Sequence, residues 1–252
     1  MSGRTFVVGD IHGDLGALEL LLARLPALDA KDTLVFIGDY LDRGPQSAAV
    51  VRLLRLDLPK RTPAAIVALR GNHEDAWLKA IDGGNPGFLL PAGNGCLATM
   101  RSFQGLPPPQ RGEFPSTPQD TAALFAGSFF PPEVVAWMRG LAYFHEDQHA
   151  IYVHGGLPPA DGRFAHPSEY TDPAVLVWCR SKEFFTGYRG KRVVFGHTPV
   201  EHLPQQLSTH TPADAKDMYL AEDVIGVDTG CGRGGFLTAV ELPSLTVYET
   251  RA

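Results

Sequence analysis

Five short apolar runs along this chain each end in a glycine beside an aspartate, an asparagine or a histidine. The runs are rich in β-branched residues, which predicts buried β-strands. In chain order they cover residues 5–10, 33–39, 64–72, 150–156 and 192–198, with the endings GDIHG, GDYLDRG, GNHE, HGG and GHT. In open α/β sheets, ligands gather at the carboxyl ends of the strands. The five polar endings are therefore expected to converge on one site.

The segments between the first three strands predict helices. Residues 14–25 place apolar side chains at helical spacing behind Asp14, a residue type suited to the N-cap. Residues 45–56 begin with Pro45, which is favoured in a first helical turn. This alternation predicts an α/β fold whose first third is a largely parallel sheet. Three later runs predict further strands, of which the last two form an antiparallel hairpin: 224–230, 236–242 and 245–249.

The chain has 252 residues, a length that suits one domain, 1–252, better than two small ones. Residues 82–132 interrupt the pattern with nine prolines and eight glycines, too many for regular sheet or a long helix. Apolar residues such as Phe88 and Leu90 make this stretch an unsuitable free linker. It is interpreted as an insertion folded over one end of the sheet, called the cap segment below. Residues 200–223 are expected to form a looser loop.

Composition excludes several classes of protein. A net charge of −6 argues against nucleic acid or an anionic membrane as the main partner. The sequence contains no run of 18 apolar residues that would predict a spanning helix. The three cysteines are far apart and odd in number, which disfavours a disulfide framework or a structural zinc site. The cysteine usage and a first strand that begins without a secretory signal lead us to expect a cytoplasmic protein. The protein is also expected to be a monomer.

The polar residues at the strand ends form a metal-ligand set. Aspartate, asparagine and histidine without thiolates suit ions such as Mn²⁺, Fe²⁺ or Zn²⁺. The ligands are too many for one tetrahedral site, and Asp39 can bridge two ions through its two oxygens. Asp10 and His12 then complete one ion, and the other ion takes Asn72, His154 and His197. Two ions ~3.5–4 Å apart are the usual apparatus for in-line attack on phosphorus.

Each of these residues alone has a simpler interpretation. His12 resembles an ordinary hydrogen-bonded core histidine, Asp10 a turn former, and Asn72 a helix cap. Short motifs match by chance, so no single ending carries the prediction. Five endings in order, each at a predicted strand end, are hard to explain in that way.

The same endings resemble the signature motifs of the PPP-type metallophosphoesterases. This family includes serine/threonine protein phosphatases, bacterial and phage relatives, and diadenosine tetraphosphatases. The resemblance spans residues 5–240, with 82–132 and 200–223 outside it, and the ending VDTGCGRGGFLTAVEL is similar to the bacterial branch. It implies a β-sandwich flanked by helices, with two metal ions where the strand ends meet.

The resemblance also implies roles for individual residues. Asp10, His12 and Asp39 resemble the ligands of the first ion, and the second ion takes Asp39, Asn72, His154 and His197. The metal ions are expected to be Mn²⁺, with iron, zinc and nickel as alternatives. A hydroxide bridging the ions is the expected nucleophile, so no phosphoenzyme should form.

His73 resembles the general acid of the family and Asp42 its orienting partner. A neighbouring carboxylate favours the imidazolium that proton donation requires. Arg43, with Asn72, is expected to bind the phosphate, because a guanidinium offers a fork of donors. Arg180, which follows a tryptophan by two positions, resembles the second phosphate-binding arginine. Glu74 as a support behind the metal ligands and Asp228 as a neighbour of the site are alternatives, but a helix-start residue and a turn residue are the preferred interpretations.

The predicted reaction is metal-dependent hydrolysis of a phosphoester, and the substrate stays open. The first expectation is a phosphoprotein phosphatase acting on phosphoserine and phosphothreonine, with phosphotyrosine as a further substrate. The alternative is a diadenosine tetraphosphatase, whose pocket would need extra cations and aromatic surfaces. The cap segment supplies only Arg101 and Arg111 as cations beside the rings of Phe88 and Phe103, which favours protein substrates. A non-catalytic phosphoprotein-binding module is disfavoured, because no expected ligand is lost and His73 is retained.

Overall fold

The fold is that of a computed structural model, which describes residues 3–110, 112–210 and 214–251. In chain order the strands are β1 (Thr5–Val8), β2 (Thr33–Phe36), β3 (Ala65–Ala68), β4 (Phe144–Glu146), β5 (Ile151–Val153), β6 (Pro159–Ala160), β7 (Arg163–Phe164), β8 (Val193–Phe195), β9 (Tyr219–Leu220), β10 (Val224–Gly226), β11 (Thr238–Leu242) and β12 (Thr246–Glu249). The helices are α1 (Leu15–Arg24), α2 (Ser47–Arg52), α3 (Leu58–Arg61), α4 (Asn72–Ile81), α5 (Cys96–Gln104), α6 (Pro118–Ala126), α7 (Pro132–Gly140), α8 (Val175–Trp178) and α9 (Lys182–Gly187). Within the described ranges, no helix is both long and apolar enough to cross a membrane.

The first sheet has the strand order β12-β11-β1-β2-β3. Strands β1, β2 and β3 are parallel, with Val7 opposite Val35 and Val35 opposite Val67. Helix α1 connects the first two strands, and α2 connects the next two through a π-helical turn, Leu53–Asp57, and α3. The predicted parallel βαβ start is therefore confirmed. The hairpin β11-β12 lies antiparallel beside β1, as predicted for the end of the chain.

The second sheet has the order β4-β5-β8-β10-β9, and its central strands β5, β8 and β10 are parallel. Val7 and Val35 from the first sheet share one buried cluster with Tyr152, Val194 and Ile225 from the second. The two sheets therefore pack face to face as the expected β-sandwich. The sequence prediction missed four short strands, β4, β6, β7 and β9, which have two or three residues each.

Helices cover the outer faces of both sheets. Leu21 of α1, Val50 of α2 and Trp77 of α4 are buried in the cluster on the outside of the first sheet. Leu176 of α8 and Phe184 of α9 belong to the corresponding cluster on the second sheet. The outer helices thus fix the loops that leave the carboxyl ends of the strands.

The cap segment contains more regular structure than its composition predicts. It forms two helices of nine residues, α5 and α6, preceded by two short 3₁₀ turns, Pro86–Leu89 and Ala92–Asn94. Both helices end at glycines with a left-handed backbone, Gly105 and Gly127. These glycines therefore serve as helix terminators rather than as signs of irregular chain. Met100 and Leu124 bury these helices in the core outside the first sheet.

Candidate metal centre and active site

The five sequence motifs lie at the carboxyl ends of β1, β2, β3, β5 and β8, at one edge of the sandwich. Backbone hydrogen bonds join the loops that carry them. The N–H of His12 donates to the carbonyl of Asp39 at 2.8 Å, and the N–H of Gly196 donates to the carbonyl of His154 at 2.8 Å. The carboxylate of Asp10 accepts from the N–H of His197 at 3.1 Å. The predicted convergence of the strand ends is therefore present in the structure.

The backbone at this edge adopts conformations that non-glycine residues rarely take. Positive φ angles of 48 to 70° occur at five of the predicted site residues: His12, Asp39, Asp42, Arg43 and His197. Such conformations cost free energy and persist where surrounding contacts hold them. The backbone of these loops is therefore strained, and hydrogen bonds between the loops hold it in the conformation that positions the side chains.

Asp39 lies at the centre of two groups of potential metal ligands. Its Oδ2 lies 3.4 Å from Nε2 of His12, and its Oδ1 lies 3.3 Å from Nε2 of His154. Within each group the ligand atoms lie within 4.8 Å of one another, the first being His12, Asp39 and His73 and the second Asp39, His154 and His197. Membership of both groups gives Asp39 the geometry expected of a bridging ligand.

Two predicted ligands complete these groups. The Oδ2 of Asp10 lies 3.9 Å from Nε2 of His12, on the side of the first group. The Oδ1 of Asn72 lies 2.7 Å from Nδ1 of His197 and 3.0 Å from Nε2 of His154, inside the second group. All the predicted metal ligands are thus brought together, each less than a twentieth exposed.

The imidazole rings are oriented for ligation. Nδ1 of His12 donates to the carbonyl of Leu41 at 2.9 Å, and Nδ1 of His154 donates to the carbonyl of Ile37 at 2.9 Å. A hydrogen bond at one ring nitrogen fixes the tautomer and turns the other nitrogen towards the ligand site. Burial and the guanidinium of Arg43 lower the pKa of His12 well below its usual range. A neutral imidazole of this kind has a lone pair available for a metal ion.

The electrostatics of the cluster also fit bound cations. Asp10, Asp39 and Asp228 are each at most 2% exposed. Burial and the carboxylate of Asp228 raise the pKa of Asp10 well above its usual range. Burying several carboxylates together is costly unless positive charge compensates them. The donor set and its burial therefore fit divalent metal ions. Asp228, for which the sequence favoured a turn, adds its charge to the site.

His73 and Asp42 form a close pair beside the ligand groups. Nδ1 of His73 donates to Oδ2 of Asp42 at 2.6 Å, which leaves Nε2 facing the centre, 3.8 Å from Oδ2 of Asp39. The indole Nε1 of Trp77 donates to Oδ1 of Asp42 at 3.0 Å. The ring of Phe88 from the cap segment stands edge-on to His73, with centroids 4.9 Å apart. The pair is consequently shielded from water on its outer side.

Glu74 has a larger part in the site than the helix-start interpretation gave it. Its carboxylate accepts hydrogen bonds from the backbone N–H groups of four residues at 2.9 to 3.2 Å: Asp39, Tyr40, Leu41 and Gly71. The side chain is fully buried. Glu74 therefore holds the loop after β2 in the shape that presents Asp39.

Three arginines surround the cluster. The guanidinium of Arg43 contacts Nε2 of His12 and lies 3.1 Å from Nε2 of His73. Arg180 is exposed and donates to the carbonyl of His197 at 3.2 Å. Arg233, which the sequence interpretation missed, is exposed in the loop before β11, and burial together with its charge lowers the pKa of Arg43. The positive charge at this edge is therefore larger than the two predicted arginines supply.

A groove of about 620 Å³ begins beside this cluster and runs along the cap segment. Arg43 and Arg233 line it together with Leu90, Leu97 and Phe114 of the cap segment. The ring of Phe114 is 59% exposed. The groove therefore joins a positively charged end to an apolar wall.

The cap residues expected to bind a nucleotide differ from those that line the groove. Arg101 pairs with Glu113, which offsets its charge, and Arg111 lies outside the described residues. Phe103 packs against Phe130 with centroids 4.9 Å apart, so its ring is a packing element. In the groove, Phe114 provides the exposed aromatic ring and Arg233 the cation.

Comparison with known proteins identifies the family to which the chain belongs. The model of the calcineurin-like phosphoesterases matches residues 3–201. The chain is 24% identical to the symmetrical bis(5'-nucleosyl)-tetraphosphatase of Dechloromonas aromatica, over 97% of this chain and 95% of that protein. It is 36% identical to serine/threonine-protein phosphatase 2 of Escherichia coli, over 35% of this chain and 37% of that one.

Solved structures agree on the fold. The cold-active protein-tyrosine phosphatase of a Shewanella species has a TM-score of 0.55 at 17% identity, over the full length of this chain and 81% of that one. Such distant likeness supports the mixed α/β sandwich alone. With the matched family model, the chain belongs to the calcineurin-like phosphoesterases and is a metal-dependent phosphoesterase.

Proposed function

We propose that this protein hydrolyses bis(5'-nucleosyl)-tetraphosphates, of which diadenosine tetraphosphate is the test substrate. The observation that carries the proposal is the groove that joins the arginines of the site to the exposed ring of Phe114. Similarity over nearly the full length to a bis(5'-nucleosyl)-tetraphosphatase supports the same choice. We therefore prefer the diadenosine tetraphosphatase, which was the alternative from the sequence, to the phosphoprotein phosphatase.

The charge around the site suits a polyphosphate chain. A phosphomonoester presents one phosphoryl group, whereas a dinucleoside tetraphosphate presents four linked phosphates. Arg43 and Arg180 flank the buried cluster, and Arg233 extends the positive charge into the groove. Guanidinium groups bind phosphate oxygens through pairs of hydrogen bonds. Arg233 therefore supplies a further cation for a substrate that carries additional phosphates.

The apolar part of the groove suits a nucleoside. Its volume of about 620 Å³ lies within the range typical of small-molecule sites. Bases stack on exposed aromatic rings irrespective of their sequence, and Phe114 offers such a ring. A base on Phe114 would place the attached phosphates near Arg233 and then Arg43.

The chain's own residues define the expected catalytic steps. Two divalent ions, with Mn²⁺ proposed, would be held by Asp10, His12, Asp39, Asn72, His154 and His197. When bound, such ions lower the pKa of a water nucleophile and neutralise phosphoryl charge. Arg43 orients the phosphoryl oxygens, and Nε2 of His73 gives its proton to the leaving oxygen as the P–O bond breaks. Asp42 accepts from Nδ1 of His73, so the ring gives this proton from its imidazolium form, in which both nitrogens carry hydrogen.

A second candidate is the hydrolysis of phosphoserine and phosphothreonine in proteins. The observation that favours it is the 36% identity to serine/threonine-protein phosphatase 2 within an 88-residue segment. The buried cluster would serve either substrate equally, so the two candidates differ only in what the groove and Arg233 recognise.

The deciding experiment compares the two substrates on one Mn²⁺-loaded preparation. Diadenosine tetraphosphate and a phosphothreonine peptide are offered separately, and kcat/KM is measured for each, with His73→Asn as the inactive control. Preference for the dinucleotide, lost in His73→Asn, supports the proposal, and its products identify the bond that is broken. Preference for the peptide would replace the proposal with the second candidate.

A further inference from the structure

Helix α5 of the cap segment contacts the carboxylate that faces His73. Oγ1 of Thr99 donates to Oδ1 of Asp42 at 2.6 Å. Sγ of Cys96, one helical turn earlier, donates to Oδ2 of Asp42 at 3.4 Å. Burial and the charge of Asp42 raise the pKa of the Cys96 thiol well above its usual range, so the proton stays on sulfur. Two donors from the cap segment thus meet one buried carboxylate of the core.

The hydroxyl of Thr99 uses its full hydrogen-bonding capacity. Besides donating to the Asp42 carboxylate, it accepts from the backbone N–H of Asp42 at 2.7 Å and from Oγ of Ser47 at 2.9 Å. A hydroxyl has one donor and two acceptor sites, and all three are occupied here. Thr99, Asp42 and Ser47 are fully buried, so water cannot replace a lost partner.

These contacts fix the direction in which Asp42 presents its oxygens. The backbone of Asp42 is left-handed, with φ of 70°, and the side chains of Thr99 and Ser47 both accept from its N–H. With Oδ1 held by Thr99 and Trp77, Oδ2 is directed at Nδ1 of His73. Losing the Thr99 hydroxyl would leave Oδ1 with the indole alone and free the carboxylate to turn.

We propose that Thr99 is a positioning residue for the Asp42–His73 pair, which makes the cap segment part of the proton-donating apparatus. The inference rests on the proposed role of His73 as general acid but is independent of the choice between dinucleotide and phosphoprotein. A general acid matters most for leaving groups of high pKa, such as phenoxide. A good leaving group, such as 2,4-dinitrophenoxide, departs without a proton.

The test measures kcat on phenyl phosphate and on 2,4-dinitrophenyl phosphate with Mn²⁺-loaded enzyme. His73→Asn is expected to lose about 100-fold or more on phenyl phosphate and far less on the dinitrophenyl ester. Thr99→Val is expected to show the same selectivity with a smaller loss, about 10-fold, since the acid remains but is misaligned. Thr99→Ser, which keeps the hydroxyl, should restore the wild-type ratio.

Ser102→Ala is the matched control, because it removes a hydroxyl from the same helix α5 that is bonded to the backbone N–H of Ala48 rather than to Asp42. Its rates on the two esters should change by the same factor. An equal loss on both esters in Thr99→Val, beside a selective loss in His73→Asn, overturns the role of Thr99. If His73→Asn instead loses kcat equally on both esters, His73 is not the general acid of the proposed function.

A second measurement needs no substrate and also serves if Thr99→Val folds poorly. The short hydrogen bond from Nδ1 of His73 should place its proton resonance far downfield in ¹⁵N-histidine-labelled protein. Cys96→Ala and Thr99→Ala, checked by circular dichroism, are measured beside Thr99→Ser. An upfield shift in Thr99→Ala that is absent in Thr99→Ser supports the proposal, and an unmoved resonance in every folded variant contradicts it.

Discussion

The carboxylate of Glu74, in the first turn of α4, accepts a hydrogen bond from the backbone N–H of Tyr40 at 2.9 Å. The same carboxylate also holds the N–H of Asp39, and so ties the proposed bridging ligand to α4. Glu74→Gln would turn an amide NH₂ towards these donors. We expect Mn²⁺ affinity to fall about 10-fold, as is typical when a partner behind a metal ligand is lost.

Isothermal titration calorimetry with Mn²⁺ checks this expectation. Glu133→Gln is the matched control, because Glu133 lies in the first turn of α7 but is exposed. Unchanged Mn²⁺ affinity in a folded Glu74→Gln protein would show that the loop after β2 keeps its shape without this carboxylate.

Asp147 should make stability depend on pH. It lies between β4 and β5 and accepts from the hydroxyls of Thr5 at 2.6 Å and Tyr152 at 2.9 Å, so it links the two sheets. Burial alone would raise the pKa of Asp147, but these hydroxyls and two backbone N–H groups hold it below its usual range. A lowered folded-state pKa contributes stability above the unfolded-state pKa, and this contribution is lost as pH falls through the folded-state pKa.

The variant Asp147→Asn tests this by urea unfolding at several pH values. At pH 7 it should be less stable than the wild type by about 1–2 kcal/mol, the order of a lost charge-assisted hydrogen bond. The difference should shrink as pH falls below about 4, the usual range of an aspartate. A difference that stays constant down to pH 3 would contradict the account.

Arg233 should contribute to the binding of a polyphosphate substrate but not to the hydrolysis of a small monoester. Arg233→Gln is expected to raise KM for diadenosine tetraphosphate about 3- to 10-fold, because an exposed charged contact to phosphate is lost. The rate on p-nitrophenyl phosphate should be unaffected. Arg163→Gln is the control, because Arg163 is also exposed but does not line the groove. Equal KM values for the dinucleotide in both variants would remove Arg233 from the site.

Phe114 should contribute to binding of the nucleotide base but not to binding of the phosphates. Phe114→Ala is expected to raise KM for diadenosine tetraphosphate about 5-fold or more, since stacking of a base is worth roughly 1–3 kcal/mol. Steady-state kinetics on the dinucleotide and on p-nitrophenyl phosphate separate the two effects. Leu106→Ala removes a similarly exposed apolar residue outside the groove as the control. A KM increase shared by both variants would point to a general change in the cap segment.

The sequence was informative where function depends on short segments at strand ends. Asp10, Asp39 and His154 each follow an apolar run directly, so alternation of strand and helix sufficed to predict that they meet. All eight strands predicted from β-branched runs are present in the structure, including the partly buried edge strands β3 and β12.

Contacts between distant segments could not be predicted in this way. Glu74 accepts from residues 33 to 35 positions earlier, and Thr99 meets Asp42 across 57 positions. Nothing in the local pattern around Thr99 or Arg233 marks them, because their neighbours are set by how the cap segment and the last loop pack. The helices of the cap segment were missed since prolines and glycines at their ends dominate its composition.

We expect the buried cluster to hold two metal ions that share Asp39. The most direct measurement is anomalous diffraction at the manganese edge from a Mn²⁺-loaded crystal. We predict two anomalous peaks ~3.5–4 Å apart, one beside Asp10 and His12 and the other beside Asn72, His154 and His197, with Asp39 between them. A single peak, or peaks away from Asp39, would contradict the account.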